Sequence, residues 1–140
     1  MSHPQFDTQS LYQKVREFRY KMKLTVSLEP RLMTWQELSF YARFINELLK
    51  AHEDQDLVGA ADALGDLVYL LVGAAQTMGV PLDKVIAAIH RANMDKEPGE
   101  SKRHKNDVRK PLDWVGPEAE LKALLLPRVP TSTLPEFFNE

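Results

Sequence analysis

A chain of 140 residues, 44% hydrophobic and 27% charged, has the size and apolar content of one folded domain. A net charge of −2 argues against a general polyanion binder, and with no cysteine neither disulfides nor thiolate metal sites can form. The opening MSHPQFDTQS lacks the apolar core of a secretion signal, and the apolar run over residues 67–75 reads as too short and too rich in Gly and Ala to cross a bilayer. These features lead to the expectation of a cytoplasmic protein with no membrane partner.

In chain order, LYQKVREFRYKM predicts a first helix over residues 11–22, broken by LTVSLEPRLM, where Pro30 imposes an extended or turn geometry. TWQE is a capping box, with Thr34 as N-cap and Glu37 at N3. The helix it opens carries Leu38, Tyr41, Ile45 and Leu48 on one stripe. After a polar turn at residues 54–56, a third helix over 57–78 is apolar on most of its surface, as a central bundle helix would be. Gly79 stops it and Pro81 starts a fourth helix, LDKVIAAIHRANMDK, that ends before Pro98. The remainder is rich in Pro and charge, with one short helix in PEAELKALL. No strand, repeat or second domain is expected. The predicted fold is all-α, a bundle of four to five helices forming a single domain over 1–140, with an irregular basic arm and tail from 115 onward.

The third helix poses a chemical question. Asp62 and Asp66 lie four residues apart, hence on one face of an apolar helix, where like charges repel. Burial would cost each of them several kcal/mol without a partner or a cation. Their face continues through Tyr69, Gly73 and Gln76. One reading is a solvated stripe; but a mid-helix glycine costs about 1 kcal/mol relative to alanine, which points instead to close approach of a helix or a ligand. A magnesium ion, which takes oxygen ligands, would remove the repulsion. Glu47, late on the neighbouring second helix, is the natural third carboxylate. On the fourth helix Asn93 and Lys96 share a face and suit phosphate or sugar oxygens, with His90 read as structural. Beyond them SKRHKNDVRK, including Lys102 and Arg103, reads either as a solvated face or as a lid closing on a polyphosphate. Without a recognition helix or interleaved aromatics, nucleic acid is not expected as a partner. Tyr69, Trp35 and Phe44 can each stack on a base but read first as core.

The stretch DLVGAADALGDLVYLLVGAAQTMGVPLDKVIAAIHRANMDK resembles the centre of the all-α NTP pyrophosphohydrolases, the MazG-like family, and within it the phage and bacterial phosphoribosyl-ATP-pyrophosphohydrolase-like branch. Its marks are the ADALGDLVY helix and NMDK at this spacing, followed by a basic segment ending in DVRKPLDW. The resemblance implies a helical homodimer or homotetramer that hydrolyses a nucleoside or deoxynucleoside triphosphate between the α and β phosphates, releasing the monophosphate and pyrophosphate. It implies magnesium, with manganese as a substitute, held by acids on two adjacent helices. Glu47, Asp62 and Asp66 would be the metal ligands. Glu47 and Asp66 would be catalytic, Glu47 as a base orienting water. Asn93, Lys96, Lys102 and Arg103 would be the phosphate contacts. A phage-encoded member would work in the host cytoplasm. The chain departs from the family in one respect. The usual E-E-x-x-E of the second helix is reduced to Glu47, its other places holding residues among Arg43, Phe44, Asn46, Leu48, Lys50 and Ala51, and Ala63 stands where the third helix usually has a glutamate. That thinning keeps a second reading open: a catalytically weakened helical module that binds a nucleotide or a protein. Separately, the apolar third helix predicts self-association, in which the site could draw residues from two chains.

Overall fold

The structure is a computed structural model that describes residues 8–100, 103, 105 and 107–126. Lys102 and residues 127–140 of the expected arm lie outside them. The fold is all-α, and its compact units are two: one up to Asp83, the other from Lys84 onward.

The first unit holds α1 (Thr8–Lys21), α2 (Trp35–Glu53) and α3 (Leu57–Met78). Both α1 and α2 pack against α3. The capping box at Thr34 is formed: the Thr34 side chain accepts from the Glu37 N–H and the Glu37 side chain accepts from the Thr34 N–H. Asp56, read from the sequence only as part of a polar turn, caps α3 by accepting from the Gly59 N–H at 2.9 Å. Gly79 ends α3 in the left-handed conformation, at φ 68°. The breaker segment between α1 and α2 is a strap across that end of α3. Ser27 donates its N–H to the Gln76 carbonyl and its hydroxyl to Thr77, and the Arg31 N–H reaches the Met78 carbonyl.

Two readings of this unit need correction. The inward face of α2 runs through Tyr41, Phe44, Leu48 and the buried Ala51, whereas Leu38 and Ile45 stay exposed at 44% and 51%. The expected stripe was rotated because this helix is apolar on more than one side. In addition, α3 is long and apolar enough to cross a membrane by length and composition, since Ala and Gly extend the apolar stretch on both sides of Asp66. Its last turns nevertheless form the heart of the unit, with every residue from Val72 to Thr77 buried.

The second unit contains most of α4 (Leu82–Met94), a ladder of β1 (Glu97–Gly99) with β2 (Asp107–Arg109), and α5 (Glu118–Leu125). Ala88 and Ala92 are the buried positions of α4. Arg91 ties α4 to α5 through Glu120 and to the Gly116 carbonyl. The antiparallel ladder, with Glu97 opposite Arg109 and Gly99 opposite Asp107, contradicts the expectation of no strands. Three-residue strands containing Pro98 and charged side chains carry no alternating apolar signal; what pairs them is the hairpin, reinforced by the Arg109–Glu97 ion pair at 3.1 Å.

Candidate active site

α2 and α3 are joined by the short turn at residues 54–56, so the end of one helix lies beside the start of the next. An open depression of about 240 Å³ forms there, lined by Glu47, Lys50, Ala51, Asp54, Asp56, Gly59, Asp62 and Ala63. Two of the three predicted metal ligands, Glu47 and Asp62, therefore share one concavity. Asp66, one turn further along α3, is not among its lining residues. The small side chains Ala51 and Ala63 are buried beneath it and let the two helices close on each other.

The acids around the depression are differently engaged. Glu47 pairs with Arg43 at 3.4 Å and Asp54 with Lys50 at 3.2 Å, each across one helical turn. Asp56 is committed to its cap. Asp62 and Asp66 are exposed, and neither forms a hydrogen bond or ion pair among the described residues. Among those residues no three acidic or histidine side chains come close enough to hold a metal ion, so Glu47, Asp62 and Asp66 are not a preassembled ligand triad. The donor set still suits magnesium, which commonly takes only one or two protein carboxylates and completes its shell with water and phosphate oxygens. Lys50 and Asp56 line the depression without having been selected from the sequence; Asp56 follows the helix-start rule and was the findable one.

The polar stripe on α3 turns out to have two owners. Its first half, Asp62 and Asp66, is open. Its second half is covered by α1: Tyr69 packs edge-on against Phe18, with ring centroids 5.6 Å apart, and the buried Gln76 donates to the Tyr12 carbonyl at 3.3 Å. At Gly73 an added Cβ would lie 3.2 Å from Nη1 of Arg19. The close approach implied by this glycine is thus a helix, not a ligand. Of the other aromatics considered, Phe44 packs on Phe40 at 5.2 Å, while Trp35 is 83% exposed, contrary to a core reading.

The predicted phosphate contacts belong to the second unit. Lys96 donates to Oδ1 of Asn93 at 2.8 Å, which joins the two residues at the end of α4. Arg103 is paired with Asp107 at 3.3 Å. Lys102 lies outside the described residues.

No curated protein matches the chain. The phosphoribosyl-ATP pyrophosphohydrolase family profile matches residues 15–93, more than half of the sequence. The match takes in the second half of α1, all of α2 and α3 and nearly all of α4, including Glu47, Asp62, Asp66 and Asn93. That match over more than half of an all-α chain establishes that it belongs to the phosphoribosyl-ATP pyrophosphohydrolase family, within the MazG-like all-α pyrophosphohydrolases, and points to pyrophosphohydrolase chemistry.

Proposed function

We propose that the chain is a magnesium-dependent pyrophosphohydrolase of nucleoside or deoxynucleoside triphosphates, cleaving the α–β bond to give the monophosphate and pyrophosphate. The observation that carries this reading is the convergence of Glu47 and Asp62, from two adjacent helices, on one depression within the span matched by the family. Glu47, Asp62 and Asp66 are the residues that would hold the ion, and manganese would serve in its place. When bound, the ion supplies positive charge against the phosphate oxygens and the phosphoryl group in transit.

The residues themselves divide the remaining work. Glu47 is held only by an exposed salt bridge to Arg43 one turn away, not by a backbone cap. Released from it, Glu47 accepts a hydrogen bond from a water and orients it for in-line attack. The water oxygen bonds to phosphorus, the bridging P–O bond breaks toward pyrophosphate, and the water proton passes to the Glu47 carboxylate and on to solvent. Asp66, one turn beyond Asp62, adds negative charge on the same helix. Asn93 and Lys96 supply phosphate contacts, Asn93 as a directional hydrogen-bond group and Lys96 as a point charge; Arg103 and Lys102 follow them in the basic segment. The active form is a homodimer or homotetramer.

The test is a panel of nucleoside and deoxynucleoside triphosphates, with phosphoribosyl-ATP included, incubated with magnesium and the products identified. Pyrophosphate with the matching monophosphate, lost in Asp62→Asn and Asp66→Asn proteins of unchanged helicity, is the expected result. The second reading, a binding module without turnover, is favoured by Arg43 and Lys50 standing beside the surviving acids. Nucleotide-dependent thermal stabilisation with no product from any substrate would establish it and overturn the hydrolase.

A further inference from the structure

The ladder that sequence reading missed has a chemical consequence beyond the span matched by the family. Its register sets Glu97 opposite Arg109, so the next residues outward, Lys96 and Lys110, leave the two strands side by side. Both ammonium groups stand over the ring of Trp114, Lys96 at 5.3 Å and Lys110 at 4.5 Å from its centroid, within the range of a cation–π attraction. The ring itself is fixed. Its indole N–H donates to the carbonyl of the buried Ala92 at 2.6 Å, and its backbone N–H closes a turn onto Pro111 at 3.0 Å.

The charges around it are unevenly compensated. Arg91 is paired with Asp95 and Glu120, Arg103 with Asp107, and Arg109 with Glu97. Neither Lys96 nor Lys110 forms an ion pair with a carboxylate among the described residues. Among the described residues the Lys96 ammonium has one hydrogen-bond acceptor, Asn93 Oδ1, and an ammonium has three donors. Two like charges therefore stand over one aromatic ring, with donors to spare and, among the described residues, no carboxylate paired to either. A multiply charged oxyanion relieves that repulsion and takes the free donors.

We propose that Lys96, Lys110 and Trp114 form an anion clasp for the phosphate groups of a nucleoside triphosphate, with Lys110 a further binding residue and Trp114 a positioning residue that holds both ammonium groups in place. The clasp deepens the phosphate-binding role proposed for Asn93 and Lys96, and it rests on that reading in taking the anion to be the substrate's phosphate chain.

The ring reports its own occupancy. The chain has two tryptophans, so Trp35→Phe leaves Trp114 as the sole tryptophan in the full-length protein, excited selectively at wavelengths that tyrosine does not absorb. Titration of that protein with inorganic tripolyphosphate is expected to give a saturable change in emission that sodium chloride of equal ionic strength does not reproduce. Lys110→Ala weakens the apparent affinity about tenfold, the scale of one charge-assisted hydrogen bond, and Lys110→Arg restores it. Because Lys110 is exposed, neither substitution removes a buried contact. An unaltered affinity in Lys110→Ala overturns the clasp, as does a response to duplex DNA with none to tripolyphosphate. The two proposals fail separately: pyrophosphate release with a silent Trp114 removes the clasp alone, whereas a Trp114 response without pyrophosphate release from any triphosphate keeps the clasp and removes the hydrolase.

Discussion

Replacing the carboxylate of Asp62 separates chemistry from stability. The side chain is exposed and makes no ion pair or hydrogen bond among the described residues, so Asp62→Asn takes away no native contact there. It also relieves repulsion from Asp66 one turn on. The expected outcome is a thermal midpoint unchanged or slightly raised, with pyrophosphate release lowered by about 100-fold or more, the usual scale for losing a group that stabilises transferring charge; calorimetry and steady-state assays check the two halves. Glu37 behaves in the opposite way. Hydrogen bonds from the Arg31 side chain, then from the Thr34 backbone, pull its carboxyl from the ordinary 4.5 down to about 2. Because the folded value is the lower one, the ionised capping box stabilises fully above the ordinary value and its contribution fades as pH falls toward the folded one. Glu37→Gln is expected to lower the midpoint near neutrality and to flatten the acid limb between 4.5 and about 2, read from thermal melts across that window. Gly79 tests conformation in place of charge. A Cβ there meets the Glu29 carbonyl oxygen at 2.5 Å and sits at a φ of 68°. Since the left-handed conformation alone costs a non-glycine residue about 1–2 kcal/mol, Gly79→Ala lowers the midpoint by at least about 5 °C, with the strap over α3 pushed away.

The elements differ in how plainly the sequence announced them, and the reason is local chemistry. The start of α2 was legible because Thr34 and Glu37 satisfy each other's backbone groups within four residues, and the end of α3 because Gly79 accepts a conformation that other residues resist. Nothing comparable marks β1 and β2, whose pairing joins residues well separated along the chain, Glu97 with Arg109 and Gly99 with Asp107. Within α3 the acids were identified correctly as a face, yet periodicity treats Tyr69, Gly73 and Gln76 as that same face; only the packing of α1 separates the covered half from the open one. The candidate site was legible to the same extent. Glu47 and Asp62 follow from neighbouring helices and a short turn, but the distance from Asp62 to Asp66 along the helix axis, which leaves Asp66 off the depression, is not visible in spacing that reports only angle. The α1–α3 contact is itself testable. Arg19 lies over Gly73 and bonds Thr77 and the Thr25 carbonyl, so a large side chain at this point has nowhere to go. Gly73→Leu is expected to cost about 1–3 kcal/mol by overpacking and to lift α1 from α3. Native-state hydrogen exchange would then show protection lost in α1 first, with α2 retaining its own; equal loss in both helices would contradict the assigned contact.

At the scale of the whole molecule, α3 has a third, apolar face that stays exposed among the described residues. Leu57, Ala61, Leu64, Val68 and Leu71 recur at alternating spacings of four and three and are all exposed, Leu57 at 82% and Leu71 at 58%. That is the seam spacing of a coiled coil, in which apolar side chains interlock with those of a partner helix. A second copy of the chain presents the same uncharged seam, and a two-fold arrangement buries both at once. Around the helix, Asp62 and Asp66 lie about 140–180° from the seam, so self-association along it removes apolar surface from water without covering the acids. The expected state is therefore a homodimer, or a tetramer if further exposed apolar surface is used, stable at micromolar concentration in sedimentation velocity. Leu64→Glu places a charge at the centre of the seam, where burying it without a partner costs several kcal/mol, and shifts the sedimenting species to monomer while far-ultraviolet circular dichroism stays helical. Wild-type protein that sediments as monomer over the same range would leave this face of α3 without its partner and defeat the proposed assembly. An unchanged oligomer in Leu64→Glu would move the interface to another surface.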